Sequence, residues 1–169
     1  PNLKSYWSPI DLATASFGQG FAVTPIQMLR AFNVLAADGL LVTPHLLEYF
    51  DENDQRIGYR PPSSGRPIYS QATTDLIDDI LQNAVEHSPI SHLKPSNLEV
   101  CAKSGTAQIA IGGHYTDSAT IASYIGYAPC SQPKFSMLVT INNPKSSPWG
   151  SSTAAPIWFN LASDINNLL

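Results

Sequence analysis

The stretch Cys101–Gln108, CAKSGTAQ, places one lysine in a run of small residues that otherwise predicts a β-strand. Just upstream, Leu98, Val100 and Ala102 alternate with residues of the opposite face, and a period of two is typical of a half-buried strand. Gly105 breaks the pattern, and a strand glycine often marks the close approach of a ligand or another backbone. A cation, two hydroxyls and a bare backbone would suit an anionic, carbonyl-bearing ligand. The alternative, which so short a stretch favours when taken alone, is an edge strand with a solubilising lysine.

The composition is that of one globular domain with a substantial core, since the chain has 169 residues and is 43% hydrophobic. A net charge of -4 without any basic cluster argues against a nucleic-acid partner. No apolar run approaches the roughly 20 residues that span a bilayer, and we expect no signal peptide at the start of the chain. The histidines at 45, 87, 92 and 114 are scattered and lack ligand spacing, so we expect no metal and no cofactor.

The two cysteines, Cys101 and Cys130, permit one disulfide without requiring it. Cys101 should share a strand face with Lys103, whereas Cys130 falls in the connection at the far end of the next strand. A Cα separation above about 7 Å excludes a disulfide without backbone movement. We therefore expect two free thiols.

Two amphipathic helices are predicted in the first half of the chain. Thr24-Pro25-Ile26-Gln27 is a capping box with proline at the first helical position, and Gly39 ends the helix that follows. Its apolar stripe is predicted to be core: Met28, Leu29, Phe32, Leu35 and Ala36. Residues 40–50 predict a strand or extended segment, and residues 51–67 a surface loop or weak hairpin. The second helix ends near residue 87 and has this apolar face: Ala72, Leu76, Ile77, Ile80, Leu81, Ala84 and Val85.

The last third predicts a three-stranded antiparallel meander over residues 98–111, 118–128 and 134–142, with a turn at 112–113. A final helix over residues 152–168 should pack on one sheet face through residues at helical spacing: Ala154, Ile157, Trp158, Leu161, Ile165 and Leu168. The fold class is therefore α+β, an antiparallel sheet flanked by helices.

A series of segments, taken in order, resembles the class B penicillin-binding proteins: FGQG, a capped helix ended by glycine, a second helix, KSGTAQ, YIGYAP and WGSSTAAPIW. The resemblance covers the chain from Ala13 to Leu169, and the joint order is more specific than any single motif. These proteins are serine D,D-transpeptidases that cross-link peptidoglycan and bind penicillin. Lys103-Ser104-Gly105 matches the K-[ST]-G triad of penicillin-recognising enzymes, which reverses the preference for a solubilising lysine.

The resemblance implies a role for each residue of this strand. Lys103 would hold positive charge beside the nucleophile and attract the carboxylate end of the donor peptide. The hydroxyls of Ser104 and Thr106 would bind that carboxylate or the carboxylate of a β-lactam. Gly105 would let the substrate lie against the strand as an added strand. The Thr106 N–H would be an oxyanion-hole donor, a contact worth about 3–4 kcal/mol. Gln108 would contact the donor stem or, equally well on the sequence, make a cross-strand hydrogen bond.

Other elements that the family requires are missing from this chain. The family needs Ser-x-x-Lys at the start of a helix and Ser-x-Asn across the cleft, and no Ser-x-Asn triplet occurs here. Two Ser-x-x-Lys matches, Ser91–Lys94 and Ser131–Lys134, are rejected because prolines bracket the first and interrupt the second. We therefore expect residues 1–169 to be the C-terminal half of a single transpeptidase domain, inactive alone, with the catalytic serine in the remaining half.

The resemblance also implies partners and a location. The partners are a peptidoglycan stem peptide, β-lactam antibiotics and the remaining half of the domain, on the outer face of a bacterial membrane to which a segment outside this chain anchors the protein. The third strand of the meander carries no charge from Phe135 to Ile141, so an open edge there predicts that the chain alone either self-associates through it or depends on the remaining half of the domain.

Two alternatives to an enzyme piece stay open. One is a catalytically inert module whose penicillin-binding-like surface only engages partners. The other is a β-lactam sensor or β-lactamase, which shares the lysine motif. Upstream coding sequence that contains Ser-x-x-Lys followed by Ser-x-Asn would favour the transpeptidase.

Overall fold

The computed structural model describes residues 7–59, 65–111 and 114–169, in which helices flank a three-stranded antiparallel sheet. The helices are α1 (Pro9–Ser16), α2 (Pro25–Ala36), α3 (Gln71–Glu86) and α4 (Gly150–Leu168), with a 3-10 turn at Ser91–Leu93. The strands are β1 (Leu40–Leu41), β2 (Tyr49–Glu52), β3 (Gln55–Gly58), β4 (Arg66–Pro67), β5 (Cys101–Ile111), β6 (His114–Ala128) and β7 (Phe135–Asn142). The α+β class expected from the sequence is confirmed.

The first two helices begin at capping boxes. In α2 the Thr24 side chain accepts from the Gln27 N–H and the Gln27 side chain reaches back to the Thr24 backbone, as predicted. α1 begins in the same way at Ser8 and Asp11, with Pro9 at the first helical position. The two helices predicted for the first half of the chain are α2 and α3, so the sequence prediction missed α1, although Ser8 to Asp11 carries the same signal.

The sheet has the order β5-β6-β7, so β5 and β7 are its edges. β5 pairs with β6 from Cys101 opposite Tyr127 to Ile111 opposite His114, with a register irregularity after Gln108. The predicted meander is confirmed, and its predicted turn at 112–113 lies outside the described residues. Within the described chain, β7 pairs with β6 alone. Self-association through the outer edge of β7 stays a prediction.

The main core lies between one sheet face and α4. Trp158 is fully buried, its ring meets Tyr124 edge-on at 5.7 Å, and its Nε1 donates to the Met137 carbonyl at 2.9 Å. The α4 residues buried in this core are Ala154, Ala155, Trp158, Phe159 and Ala162. The predicted stripe is therefore wrong in part, since Ile157 and Leu161 are 45% and 42% exposed. Three alanines let the helix approach the sheet, and two aromatic rings fill the space between them.

A second cluster lies on the opposite sheet face, beneath α2 and α3. Its buried members are Leu81, Cys101, Tyr127 and Cys130, against which Phe32, Leu35, Ala36 and Ile77 pack. The predicted α2 stripe is thus confirmed in its second half, whereas Met28 is exposed. On α3, two residues of the predicted apolar face, Leu76 and Ile80, are 61% and 57% exposed within the described chain.

The segment between α2 and α3 forms short two-stranded ribbons. β1 pairs with β4, and β2 pairs with β3 in a hairpin. Asn53 and Asp54 make the hairpin turn with φ of 52° and 60°, a conformation that these two residue types tolerate. The weak hairpin predicted after residue 50 is confirmed, while residues 60–64 of the predicted loop lie outside the described residues.

A disulfide joins Cys101 to Cys130, and the expectation of two free thiols is wrong. Cys101 begins β5 and lies opposite Tyr127, near the end of β6. Because the strands are antiparallel, the connection that follows β6 returns to the start of β5, and the two Cα atoms are 5.2 Å apart. The sequence prediction placed Cys130 at the far end of the next strand. It did not take into account that antiparallel pairing brings that strand end next to the start of β5.

Reduction of the disulfide should destabilise the fold. The bridge joins residues 29 positions apart, and a loop of this size predicts a loss of about 3.6 kcal/mol in the free energy of unfolding. Urea titrations with and without reductant measure the difference. A Cys101→Ala/Cys130→Ala variant is the control, since reductant should leave its midpoint unchanged. Detection of both thiols in the unreduced protein by mass analysis would contradict the pairing.

Asp78 of α3 accepts a hydrogen bond from the Tyr127 hydroxyl of β6 beside this disulfide. Burial raises the pKa of Asp78 above its ordinary value of 3.8, the Tyr127 hydrogen bond opposes the rise, and Asp75, Asp38 and Asp79 add to it. Burial likewise raises the pKa of Tyr127, so its hydroxyl remains a donor.

Asp78→Asn should make the protein more stable at neutral pH and flatten its pH dependence. Because the folded pKa is raised, the stability that Asp78 contributes is present below pH 3.8 and is lost as pH rises through the raised pKa. The amide oxygen can still accept from Tyr127. Urea titrations between pH 3 and 8 should show the change, with Asp164→Asn, the same substitution at an exposed position of α4, as the matched control. An unchanged profile in Asp78→Asn would contradict the assignment.

Candidate active-site strand

The KSGT segment (residues 103–106) lies on β5, an edge strand of the main sheet. Its inner edge pairs with β6, where Lys103 to Thr106 face Ile125 to Ala122. Its outer edge has no strand partner among the residues that the structure describes. An edge of this kind offers backbone donors and acceptors to an extended ligand.

Lys103 is exposed, unlike the two residues that precede it on β5. Its ammonium group donates to the Ser104 carbonyl at 2.9 Å. Strand alternation puts Lys103 on the same face as Cys101, which is fully buried against α3. This face of β5 is therefore covered by α3 at Cys101 and exposed at Lys103.

The hydroxyl residues Ser104 and Thr106 are half-buried and lie on the other face of β5, toward α4. The Thr106 Oγ1 accepts a hydrogen bond from the Gly150 N–H, the first N–H of α4, at 3.1 Å. The cation and the hydroxyls are therefore on opposite faces of one edge strand. Only a ligand that lies along the outer edge can be reached from both faces.

A side chain at position 105 would contact the neighbouring strand β6. A Cβ at this position would come within 2.6 Å of the Ser123 Oγ on β6. Rotation of the Ser123 side chain can relieve this contact, so the strand pair does not by itself require glycine, and the predicted role of Gly105 as a surface for a substrate backbone stays a prediction. Gln108 is half-buried opposite Thr120, and its predicted contact with a donor stem also stays a prediction.

The two rejected Ser-x-x-Lys matches lie outside any α-helix. Ser91 begins the 3-10 turn, and the Lys94 ammonium donates to the Leu98 carbonyl at 3.1 Å. Ser131 is exposed in the β6–β7 connection and donates to Glu99 at 2.9 Å. Neither pair has the one-turn helical spacing that a serine nucleophile and its lysine base require.

No group of three or more histidine, cysteine or acidic residues is placed to hold a metal ion in the part of the chain that the structure describes. Across the same residues, no helix has both the length and the apolar character needed to cross a membrane.

Sequence reasoning missed the residues that hold the KSGT segment in place. Gly150 begins α4 in contact with β5, and the Cys101–Cys130 disulfide ties the start of β5 to the connection after β6. The sequence carried no signal for Gly150, because the helix predicted from residue 152 has Ser151 at its N-cap position, whereas the observed helix begins at Gly150 after Trp149. The partner that replaces the missing cap is 44 residues away and carries no local signal.

The chain is similar in sequence to a known protein family and to curated proteins. A family model described as "Penicillin binding protein transpeptidase domain" matches residues 2–163. The chain is 32% identical over 159 residues to stage V sporulation protein D of Bacillus subtilis, covering 92% of this chain and 25% of that protein. It is 28% identical over 158 residues to the peptidoglycan D,D-transpeptidase FtsI of Escherichia coli, with the same coverage of 92% and 25%.

Solved structures show the same fold. Penicillin-binding protein 3 from Mycobacterium tuberculosis, complexed with ampicillin, superposes with a TM-score of 0.84 at 24% identity, covering 95% of this chain and 38% of that one. The transpeptidase domain of Burkholderia pseudomallei penicillin-binding protein 3 gives 0.74 at 24% identity, covering 97% and 48%. The chain thus spans about a quarter of the length of the curated relatives that it matches.

Proposed function

Because this chain belongs to the penicillin-binding protein transpeptidase domain family, we propose that it forms the strand side of the acyl-transfer site of a serine D,D-transpeptidase. The resemblance drawn from the sequence is confirmed at the level of the family. The observation that carries the proposal is the KSGT segment, exposed at Lys103 on an edge strand whose outer side has no strand partner in the described chain.

The segment supplies charge and hydrogen bonds to the reacting group. The Lys103 ammonium places positive charge at the cleft, where it assists proton movement at the nucleophile and attracts the carboxylate of the donor stem peptide. The Thr106 N–H stabilises the oxyanion of the tetrahedral intermediate, and Ser104 and Thr106 hydroxyls bind the carboxylate. Gly105 and Gln108 contact the stem along the outer edge of β5.

β-Lactam antibiotics would use the same contacts. Aztreonam and ampicillin are bound in the structures of the Mycobacterium tuberculosis protein that share this fold. A β-lactam carries an acylating carbonyl and an anionic group, which match the predicted oxyanion donor at Thr106 and the hydroxyls beside it.

The nucleophilic serine and Ser-x-Asn would come from the remaining part of the transpeptidase domain. Residues 1–169 would form its C-terminal part, and the chain alone would not be acylated. Apolar residues left exposed here, among them Leu76, Ile80, Ile157 and Leu161, would be covered by that remaining part. We place the complete protein at the outer face of a bacterial membrane, where peptidoglycan is cross-linked.

Lys103→Ala in the full-length protein should lower the rate of acylation by a fluorescent penicillin by about 100-fold or more, the range of a lost proton-transfer group. Thr106→Ala should lower it by only about tenfold, since the backbone N–H survives and one hydrogen bond to a charged group is lost. Acylation is measured by in-gel fluorescence against time.

Lys134→Ala is the matched control for this experiment, because Lys134 is an exposed lysine at the β6–β7 connection, away from the KSGT segment. It should acylate as the unmodified protein does. Wild-type acylation in Lys103→Ala would show that the proposed role of the lysine is wrong.

A further inference from the structure

α4 begins without a side-chain cap of its own. The first N–H groups of a helix need acceptors, which an N-cap Ser, Thr, Asp or Asn usually provides. The N-cap here is Trp149, whose side chain makes no capping hydrogen bond. The Gly150 N–H instead donates to the Thr106 Oγ1 of β5 at 3.1 Å. A residue of the KSGT segment thus caps the helix from another element.

The contact depends on the absence of a side chain at Gly150. A Cβ there would come within 2.2 Å of the Ser123 carbonyl oxygen and 2.4 Å of the Gly105 carbonyl oxygen. Both neighbours are backbone atoms of paired strands, so neither can move without disturbing the sheet. Glycine is therefore what lets the first turn of α4 lie against β5 with its N–H in reach of Thr106.

The hydrogen bond also decides what the Thr106 hydroxyl can do. A hydroxyl has one donor hydrogen and two acceptor lone pairs. The Gly150 N–H occupies one lone pair, and no hydrogen bond donated by the Thr106 O–H is found among the described residues. The oxygen is therefore held while its hydrogen is left available. The Ser104 hydroxyl has no anchoring donor of this kind in the same part of the chain.

We propose that Gly150 is a positioning residue for Thr106: its N–H holds the threonine oxygen as an acceptor, so that the hydroxyl hydrogen is directed to the carboxylate of the ligand. The inference rests on the proposed function, since it assigns Gly150 to the carboxylate subsite of that site. It makes Thr106 the more strongly oriented of the two hydroxyl donors. Loss of the Gly150 contact should then weaken carboxylate recognition specifically.

The test compares acylation by a penicillin and by its neutral methyl ester in the full-length protein. The readout is the ratio of the two second-order acylation rate constants, acid over ester. Gly150→Ala should lower this ratio by about tenfold, as expected for one misdirected hydrogen bond to a charged group. Thr106→Val should lower it equally, and the double variant should show no further loss, because both changes act on one contact.

A second variant removes the donor without adding an atom. Replacement of Gly150 by glycolic acid converts the Trp149–Gly150 amide to an ester and deletes the N–H alone. It should lower the acid-to-ester ratio as Gly150→Ala does. If Gly150→Ala fails to fold, the ratio measured for this ester variant tests the proposal. Ser152→Ala, an exposed change in the same helical turn, is the matched control and should leave the ratio unchanged.

If Gly150 only maintained the fold, its variants would give a different acid-to-ester ratio from the one expected here. If the Gly150 variants slow acid and ester by the same factor, the ratio is unchanged and the inference is overturned. If the unmodified protein is acylated by neither ligand, the proposed function is overturned and this inference with it, a failure distinguishable from the first.

Discussion

β5 is buried on both faces where it begins, and along its outer edge, where it carries Lys103, it has no strand partner in the described part of the chain. Val100 and Ala102 pack into the core under α4, while Cys101 packs under α3 and is covalently tied to Cys130. A strand held on two faces and one edge keeps its backbone geometry when the fourth side meets a ligand. Preorganisation of this kind is what donors to a developing oxyanion need.

Small residues let the supporting elements come this close. Gly126 faces Ala102 and Trp158 across the main core, where a Cβ would come within 2.6 Å of the Ala102 Cβ and 3.0 Å of the Trp158 ring. Gly150 allows the same close approach at the other end of the contact between α4 and the sheet. Side chains at these positions would push α4 away from β5. The geometry of the KSGT segment therefore depends on residues that carry no functional group.

The sequence predicted the helices and strands better than it predicted the contacts between them. The meander, α2 and α3 follow from local periodicity and capping, and the family followed from the order of motifs around Lys103. The α4 face was wrong because helical spacing alone does not separate Ile157 from Phe159 as the residue that meets the sheet. The disulfide and the Gly150–Thr106 contact depend on strand return and helix docking, which join residues 29 and 44 positions apart. Local patterns do not encode contacts of that range.

The most direct test of the central claim is a crystal structure of the complete domain acylated by a penicillin. We predict that the ligand lies along the outer edge of β5, with its acyl oxygen about 3 Å from the Thr106 backbone nitrogen and its carboxylate on the Thr106 hydroxyl. A Thr106 N–H directed into the β6 ladder, or an acyl group bound away from β5, would contradict the account.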